Sequence, residues 1–224
     1  MIIDLQKMVA EYALPIRAVL HVGAHHGQED ELYQQLGVRP IYVEANPEVF
    51  TVLTENLPER ECFNVAISDH IGTTEFHVTS FDQSSSILPL KKHKEIYPDI
   101  VEKKLIQVPC TTIDELTKDL DVPIDLLNMD IQGAELMALH GATRTLGDVK
   151  CIMTEVNRAE LYEGCGMIGD LDQFLNPFGF RRVVSDFKYH KSWGDAFYVR
   201  SEFVKSRSIL GTMKKVLGLE RHSA

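Results

Sequence analysis

Short apolar runs alternate along the chain with stretches in which hydrophobic residues recur every three or four positions. The runs at 17–22, 40–45, 62–67, 124–129 and 150–154 have the length of buried strands. The stretches between them are typical of amphipathic helices. This alternation indicates an α/β fold, in which helices cover both faces of a mostly parallel sheet.

The two ends of the chain have patterns of their own. Residues 1–16 predict a short leading helix ahead of a core that runs from about 17 to 200. The apolar runs at 180–187 and 196–200 are too close together for a crossover helix, so we expect an antiparallel pair of strands there. The tail, 201–224, predicts a C-terminal helix that packs on the body or on a second copy in a homo-oligomer. The alternative is a basic amphipathic contact with a membrane surface.

Residues 80–104 interrupt the alternating pattern. A serine run at 84–86 is followed by a charged segment that contains Pro98. Such an insertion is often a lid or a substrate loop, although a solvated surface excursion fits the same composition. Its lysines suit either an anionic acceptor or a solvated face, and they are Lys91, Lys92, Lys94, Lys103 and Lys104.

The totals restrict the class of protein. A length of 224 residues with 44% hydrophobic residues predicts one domain over 1–224. The formal net charge of −10 argues against a nucleic-acid backbone as partner. No apolar run is long enough for a signal peptide or a membrane span, so we expect a cytoplasmic protein. The four cysteines lie far apart and indicate neither a disulfide framework nor a zinc site.

A glycine turn follows the first predicted strand. Gly23 and Gly27 are separated by three residues, and a helix-like repeat comes after them. Glycine at such a turn lets the backbone approach a ligand closely. The next strand ends in Glu44, where an acid can accept hydrogen bonds from ribose hydroxyls. The first part of the chain therefore predicts a site for a cofactor that contains a nucleoside.

Polar residues follow each of the other predicted strands. They are Ser68 with Asp69, Asp130 and Glu155. Parallel strands present their carboxyl ends on one edge of the sheet, where ligands bind. Three of the acids at strand ends also have a plain structural explanation. Glu44 could be a solvated strand end, Asp130 a helix cap, and Glu155 an ion-pair partner of Arg158.

A dehydrogenase is the first alternative among nucleotide-binding proteins. Its fingerprint needs three glycines, whereas this turn has only Gly23 and Gly27, with Ala24, His25 and His26 between them. A pyrophosphate would meet a bulkier turn. The turn therefore favours S-adenosylmethionine (SAM), which has a ribose and an adenine but no phosphate, over NAD.

Several motifs together resemble the FkbM-type methyltransferases, from about Leu20 to Arg200. The motifs are Val22-Gly23-Ala24-His25-His26-Gly27, Tyr42-Val43-Glu44-Ala45-Asn46-Pro47, Asn64-Val65-Ala66-Ile67-Ser68-Asp69, Asp125-Leu126-Leu127-Asn128-Met129-Asp130-Ile131-Gln132-Gly133-Ala134-Glu135, Thr154-Glu155-Val156 and Ala196-Phe197-Tyr198-Val199. The resemblance implies a Rossmann-like class I methyltransferase fold. Its seven-stranded sheet is mostly parallel, the last strand is antiparallel, and helices cover both faces.

The resemblance also implies roles for individual residues. Gly23, Ala24 and Gly27 would lie under the methionine and ribose of SAM, and Glu44 with Ala45 would meet the ribose. Ser68 and Asp69 would lie near the adenine, and Asp130 beside the methionine and the reacting methyl group. His21 stands where many members have an aspartate that holds the methionine amine, so Glu29 or Asp130 would take over that contact.

The implied reaction is O-methylation by direct methyl transfer to a hydroxyl group of a sugar, glycan or small natural product. The protein then supplies alignment and a base, for which Asp130, Glu155 and His25 are candidates. A divalent metal between Asp130, Glu155 and a third oxygen is compatible with these residues, but their spacing does not require it. The alternatives are a scaffold that binds SAM or a nucleotide without catalysis and, third, an NAD-dependent oxidoreductase.

Overall fold

The computed structural model describes residues 2–204. Its helices are α1 (Leu5–Tyr12), α2 (Asp30–Leu36), α3 (Pro47–Asn56), α4 (His93–Ile96), α5 (Ile113–Leu116), α6 (Glu135–His140) and α7 (Ile168–Leu175). Its strands are β1 (Ala18–Val22), β2 (Arg39–Val43), β3 (Glu61–Phe63), β4 (Ala66–Ile67), β5 (Gly72–Thr79), β6 (Glu102–Thr111), β7 (Leu126–Met129), β8 (Cys151–Asn157), β9 (Phe180–His190) and β10 (Trp193–Arg200).

A seven-stranded sheet forms the centre of the fold, in the order β3-β2-β1-β7-β8-β10-β9. In this order, each neighbouring pair among β3, β2, β1, β7 and β8 is parallel, whereas β10 runs antiparallel to both β8 and β9. The predicted antiparallel pair near the end of the chain is therefore confirmed.

Both faces of this sheet are covered. Successive side chains of a strand point to opposite faces, and those of β1 divide accordingly. Leu20 and Val22 belong to one buried cluster, whereas Val19 packs in the other with Tyr33 of α2. Burial on both sides explains why the central strands β1 and β7 are apolar apart from His21 and Asn128.

The start of α3 follows directly from its sequence. Asn46 accepts a hydrogen bond from the Glu48 amide at 3.1 Å, and Pro47 occupies the first helical position. Both residue types are favoured at these positions. This start places Glu44 in the short link between β2 and α3.

The prediction of a single strand at 62–67 is wrong, because the structure has two short strands there. Residues 61–63 pair with β2 in the main sheet, while residues 66–67 pair with β6 in a second, three-stranded sheet of order β4-β6-β5. Strand β5 pairs antiparallel with β6, which lies more than twenty residues later in the chain. Residues 80–101 therefore connect β5 to β6, and residues 102–104 of the predicted insertion belong to β6 itself.

The termini are described in part. The predicted leading helix is present as α1, where Asp4 accepts a hydrogen bond from the Lys7 amide at 2.9 Å. Residues 201–204 are helical, and the rest of the predicted C-terminal helix lies outside the described residues. Between residues 2 and 204, no helix combines the length and the apolar character needed to cross a bilayer.

Candidate functional site

A cavity of about 470 Å³ opens at the carboxyl edge of the main sheet. The residues after β1, β2 and β7 reach it, and so does Glu155 near the end of β8, as the strand pattern predicts for parallel neighbours. Predicted site residues that line the cavity are His21, Gly23, Ala24, His25, Glu29, Glu44, Ala45, Asp130 and Glu155.

The glycine turn presses tightly against the end of β7. A Cβ atom on Gly23 would lie 1.9 Å from the Asp130 carbonyl oxygen, and the Gly23 φ of +82° favours glycine in any case. The amides of Gly23 and Ala24 both donate to the Val43 carbonyl, at 2.9 and 3.0 Å. These amides are therefore occupied within the protein, which argues against a phosphate cradle at the turn.

Gly27, unlike Gly23, packs against α3. A Cβ atom there would lie 2.4 Å from Leu57 Cδ1, so the residue faces α3 and does not line the cavity. Its φ of +78° lets the turn close on that helix. The helix-like repeat after the turn forms α2, which begins at Asp30.

Glu44 holds the turn and the start of α3 together. Its Oε2 accepts a hydrogen bond from the His25 amide at 2.9 Å, and its Oε1 accepts one from the Asn46 amide at 2.8 Å. Burial raises the pKa of this carboxyl above its usual range, and the amide hydrogen bonds oppose that shift. Each carboxylate oxygen can accept more than one hydrogen bond, so Glu44 retains capacity for ribose hydroxyls.

His21 is buried and neutral at physiological pH. Burial lowers its pKa to about 4, although the charge of Glu29 opposes this shift. Its Nδ1 lies 3.2 Å from the Tyr33 hydroxyl, which accepts a hydrogen bond from Asn128 at 2.7 Å. A neutral imidazole cannot supply the charge of an aspartate, whereas the carboxyl groups of Glu29 and Asp130 line the same cavity.

Asp130 and Glu155 are linked by one amide group. Gln132 Nε2 donates to Asp130 Oδ1 at 2.7 Å and to Glu155 Oε2 at 2.9 Å. Its Oε1 accepts from the Tyr162 hydroxyl at 2.7 Å, and its backbone has the left-handed φ of +55°. A residue other than glycine in this conformation indicates a locally strained turn. Gln132 was not predicted as a site residue.

The two linked carboxyl groups differ in their access to the cavity. The side chain of Asp130 is open to it, whereas Glu155 is 6% exposed. Both pKa values are raised, chiefly because surrounding protein displaces water, and the charge of Asp130 adds to the shift at Glu155. A third carboxyl, Glu135, caps the same turn through the amides of Ile131 and Gly133, and burial raises its pKa to about 7.

A metal between Asp130 and Glu155, which the sequence allows but does not require, meets an obstacle. The amide nitrogen of Gln132, rather than a third oxygen, contacts both carboxylates. Within residues 2–204, the side chains grouped closely enough to hold a metal ion are those of His25, His26 and Asp82, whose ligand atoms lie within 4.8 Å of one another.

His25 connects the glycine turn to the loop after β5. Its φ is +48°, and its Nδ1 lies 2.9 Å from Gln28 Nε2. Its Nε2 lies 3.3 Å from Asp82 Oδ1 without the geometry of a hydrogen bond. The ring also stacks on His26, with 3.8 Å between ring centroids.

Ser68 and Asp69 are predicted site residues that do not line the cavity. Strand β4 leaves the main sheet at this point and carries both residues toward the second sheet. Asp69 Oδ1 lies 2.9 Å from His70 Nδ1, and Ser68 is fully buried. The cavity is instead lined here by Val65, Ala66 and Ile67.

The insertion and the loop after β8 contribute cavity residues that were not assigned from the sequence. They are Asp82, Gln83, Ser84, Ser85, Ser86, Ile87, His93, Tyr97, Ile100 and Leu161. The only signal for them is the interrupted pattern at 80–104, which predicts a lid or substrate loop without indicating which side chains face the ligand.

The order of the strands, the antiparallel β10 and the cavity beside the glycine turn define a class I, Rossmann-like methyltransferase fold. Residues 21–182 match the family model described as the methyltransferase FkbM domain. The chain belongs to this family and is a SAM-dependent methyltransferase.

Two known proteins illustrate the relationship. The 2-O-methyltransferase NoeI of Sinorhizobium fredii (strain NBRC 101917 / NGR234) is 30% identical over 172 residues, which are 71% of this chain and 71% of that protein. The crystal structure of a methyltransferase FkbM from Methylobacillus flagellatus KT gives a TM-score of 0.55 at 16% identity and covers 82% of this chain. The match covers 43% of that solved chain, so this protein corresponds to less than half of it.

Proposed function

We propose that this chain transfers a methyl group from SAM to a hydroxyl group of a sugar or a sugar-like small molecule. The observation that carries the proposal is the pair Asp130 and Glu155, held by Gln132 beside the glycine turn. The 2-O-methyltransferase activity named for the NoeI relative supports oxygen as the methyl acceptor.

The residues around the turn fit SAM better than a dinucleotide. The amides of Gly23 and Ala24 are already paired, so they offer no cradle for a pyrophosphate. Glu29, Glu44 and Asp130 instead provide carboxyl groups around the cavity, which suit a cationic cofactor that carries a ribose. When bound, SAM supplies a methyl group that its positively charged sulfur already activates.

The chain would then contribute alignment and proton transfer. Asp130 is the better placed base because its side chain is open to the cavity, whereas Glu155 is buried. A raised pKa makes the Asp130 carboxylate a stronger proton acceptor than an ordinary aspartate. Gln132 positions both carboxyl groups. His25 lines the cavity as well, but its ring contacts Gln28 and His26 at the side of the turn.

The proposal is tested by methyl transfer from SAM labelled with ¹³C in the methyl group. The full chain is incubated with a panel of methyl glycosides, and new O-methyl signals are followed by NMR together with S-adenosylhomocysteine formation. We expect one or more glycosides to be methylated. Asp130→Asn should lower the rate about 100-fold, whereas Asp119→Asn, an exposed control, should not change it.

The other outcomes identify the alternatives. SAM binding without any product over the whole panel would contradict the proposal and favour a non-catalytic scaffold. Oxidation or reduction of a nicotinamide cofactor would favour the oxidoreductase.

A further inference from the structure

A wall of ring side chains borders the cavity beyond the carboxyl groups. It consists of His93 and Tyr97 from α4 and its end, together with Trp193 at the start of β10, and we call it the ring wall. Tyr97 and Trp193 are half-buried, and Trp193 Nε1 donates to the Tyr97 hydroxyl at 3.0 Å. The centroids of the His93 and Tyr97 rings lie 5.0 Å apart.

His93 is a buried polar side chain without a partner for one of its nitrogens. The residue is 4% exposed, and its Nδ1 has no hydrogen-bond partner within the described part of the chain. A buried polar atom left unpaired destabilises the folded chain. Burial also lowers the pKa of His93, so the ring is neutral and one nitrogen can accept a hydrogen bond. These features indicate that a bound molecule completes this site.

Hydrogen bonds attach the ring wall to the reacting end of the cavity. The amides of Lys91 and His93 both donate to the Leu161 carbonyl, at 2.7 and 3.1 Å. The next residue, Tyr162, donates from its hydroxyl to Gln132 Oε1 at 2.7 Å. The ring wall therefore has a defined position relative to Gln132 and the two carboxyl groups that it links.

We propose that the ring wall is the binding subsite for the methyl acceptor, and that the acceptor is a pyranose-type sugar. The apolar C–H face of the sugar would pack on the rings of Tyr97 and Trp193, while one hydroxyl pairs with the His93 imidazole. Aromatic faces carry negative partial charge and attract such C–H groups. This inference rests on the proposed function, since it assigns the acceptor side of the same cavity.

The composition of the cavity favours a sugar over a phenol. A phenol offers a single polar edge, whereas a pyranose carries hydroxyl groups around its whole rim. The cavity near the ring wall is lined by Asp82, Gln83 and the serines at 84–86, which can form many hydrogen bonds. A ligand with one apolar face and a polar rim matches this arrangement.

Trp193 allows a direct test because it is the chain's single tryptophan. The full chain is loaded with S-adenosylhomocysteine, and its fluorescence is followed while methyl glucoside, methyl galactoside, methyl fucoside, chitobiose or catechol is added. We expect a saturable change with at least one of the sugars. His93→Ala and Tyr97→Ala should each weaken that sugar at least tenfold, and Tyr97→Phe, which keeps the ring, should lose much less.

Two controls separate a binding role from a folding defect. Lys94→Ala changes an exposed residue of the same short helix and should leave sugar affinity within twofold. In every variant the affinity for SAM, measured by calorimetry, should also remain within twofold, because the ring wall lies on the acceptor side.

Four results would overturn the inference. If SAM binds but none of the sugars changes the fluorescence, the ring wall is not a sugar subsite, while the proposed methyl transfer stands. Saturable binding of catechol alone would assign the ring wall to phenolic acceptors. An equal loss of SAM and sugar affinity in His93→Ala would place His93 on the cofactor side. No binding of SAM to the wild type would overturn the proposed function, and the subsite with it.

Discussion

Buried carboxyl groups at one end of the cavity have a measurable consequence at the scale of single residues. Glu135 is 2% exposed, and its pKa rises to about 7 because burial disfavours the charged form. The pKa of Glu155 is also raised, by burial first and then by the neighbouring carboxylates. At mildly acidic pH the folded chain therefore retains protons that the unfolded chain has already released.

We predict that Glu135 makes the folded state less stable as pH rises. Between its ordinary pKa of 4.5 and about 7, Glu135 is ionised in the unfolded chain but protonated in the folded one. The folded state binds more protons, so the free energy of unfolding falls across this range. In Glu135→Gln that fall should be smaller, by up to about 3 kcal/mol. Urea unfolding between pH 5 and pH 8 measures the difference.

An exposed glutamate provides the control for this measurement. Glu59→Gln should follow the wild-type pH dependence, because Glu59 is exposed. If the Glu135→Gln and wild-type slopes are equal, Glu135 does not carry the raised pKa.

The sequence predicts the cavity residues at the carboxyl ends of parallel strands. Gly23, Glu44, Asp130 and Glu155 meet at one edge because parallel neighbours end together. Gln132 escaped prediction because its importance depends on contacts with two separate strand ends and with Tyr162. No periodicity in the sequence carries that information.

At the scale of elements, Asp125 links the starts of β1, β7 and β8 at the sheet edge opposite the cavity. It lies immediately before β7 and is fully buried. It accepts hydrogen bonds from the Arg17 amide and guanidinium at 2.7 and 2.8 Å, and Lys150 Nζ lies 2.9 Å away. Although burial alone would raise it, the pKa of Asp125 is held below its usual range by hydrogen bonds from these two cations.

We predict that Asp125→Asn lowers the free energy of unfolding by about 2 kcal/mol, because it removes a fully buried carboxylate that accepts hydrogen bonds from Arg17 and Lys150. Asp121→Asn is the matched control, since Asp121 forms an exposed ion pair with Arg39 and should contribute less than about 1 kcal/mol. Chemical denaturation measures both. Equal losses in the two variants would contradict the anchoring role of Asp125.

Prediction of elements succeeded where pairing is local or follows the α/β alternation. The second sheet was missed because β5 and β6 pair across the insertion, with Gly72 opposite Cys110. Such contacts join residues far apart in the chain, and neither strand indicates its partner. The division of 62–67 has the same origin, since β4 pairs with β6, which lies much later in the sequence.

At the scale of the whole molecule, the net charge of −10 and the carboxyl groups around the cavity favour a cationic ligand. The fold, the FkbM family and the paired amides of the glycine turn agree with SAM as that ligand. Loops from separate parts of the chain form the proposed acceptor side of the cavity, which explains why the sequence pattern indicated the cofactor side more fully.

Calorimetric titration with SAM tests this account most directly, using the wild type, Glu44→Ala and Asp69→Ala. We predict micromolar binding to the wild type and a loss of about 1.5–3 kcal/mol, about 10- to 100-fold, in Glu44→Ala. Asp69→Ala should bind like the wild type, because Asp69 lies outside the cavity. No heat with SAM, combined with saturable binding of NAD, would contradict the account.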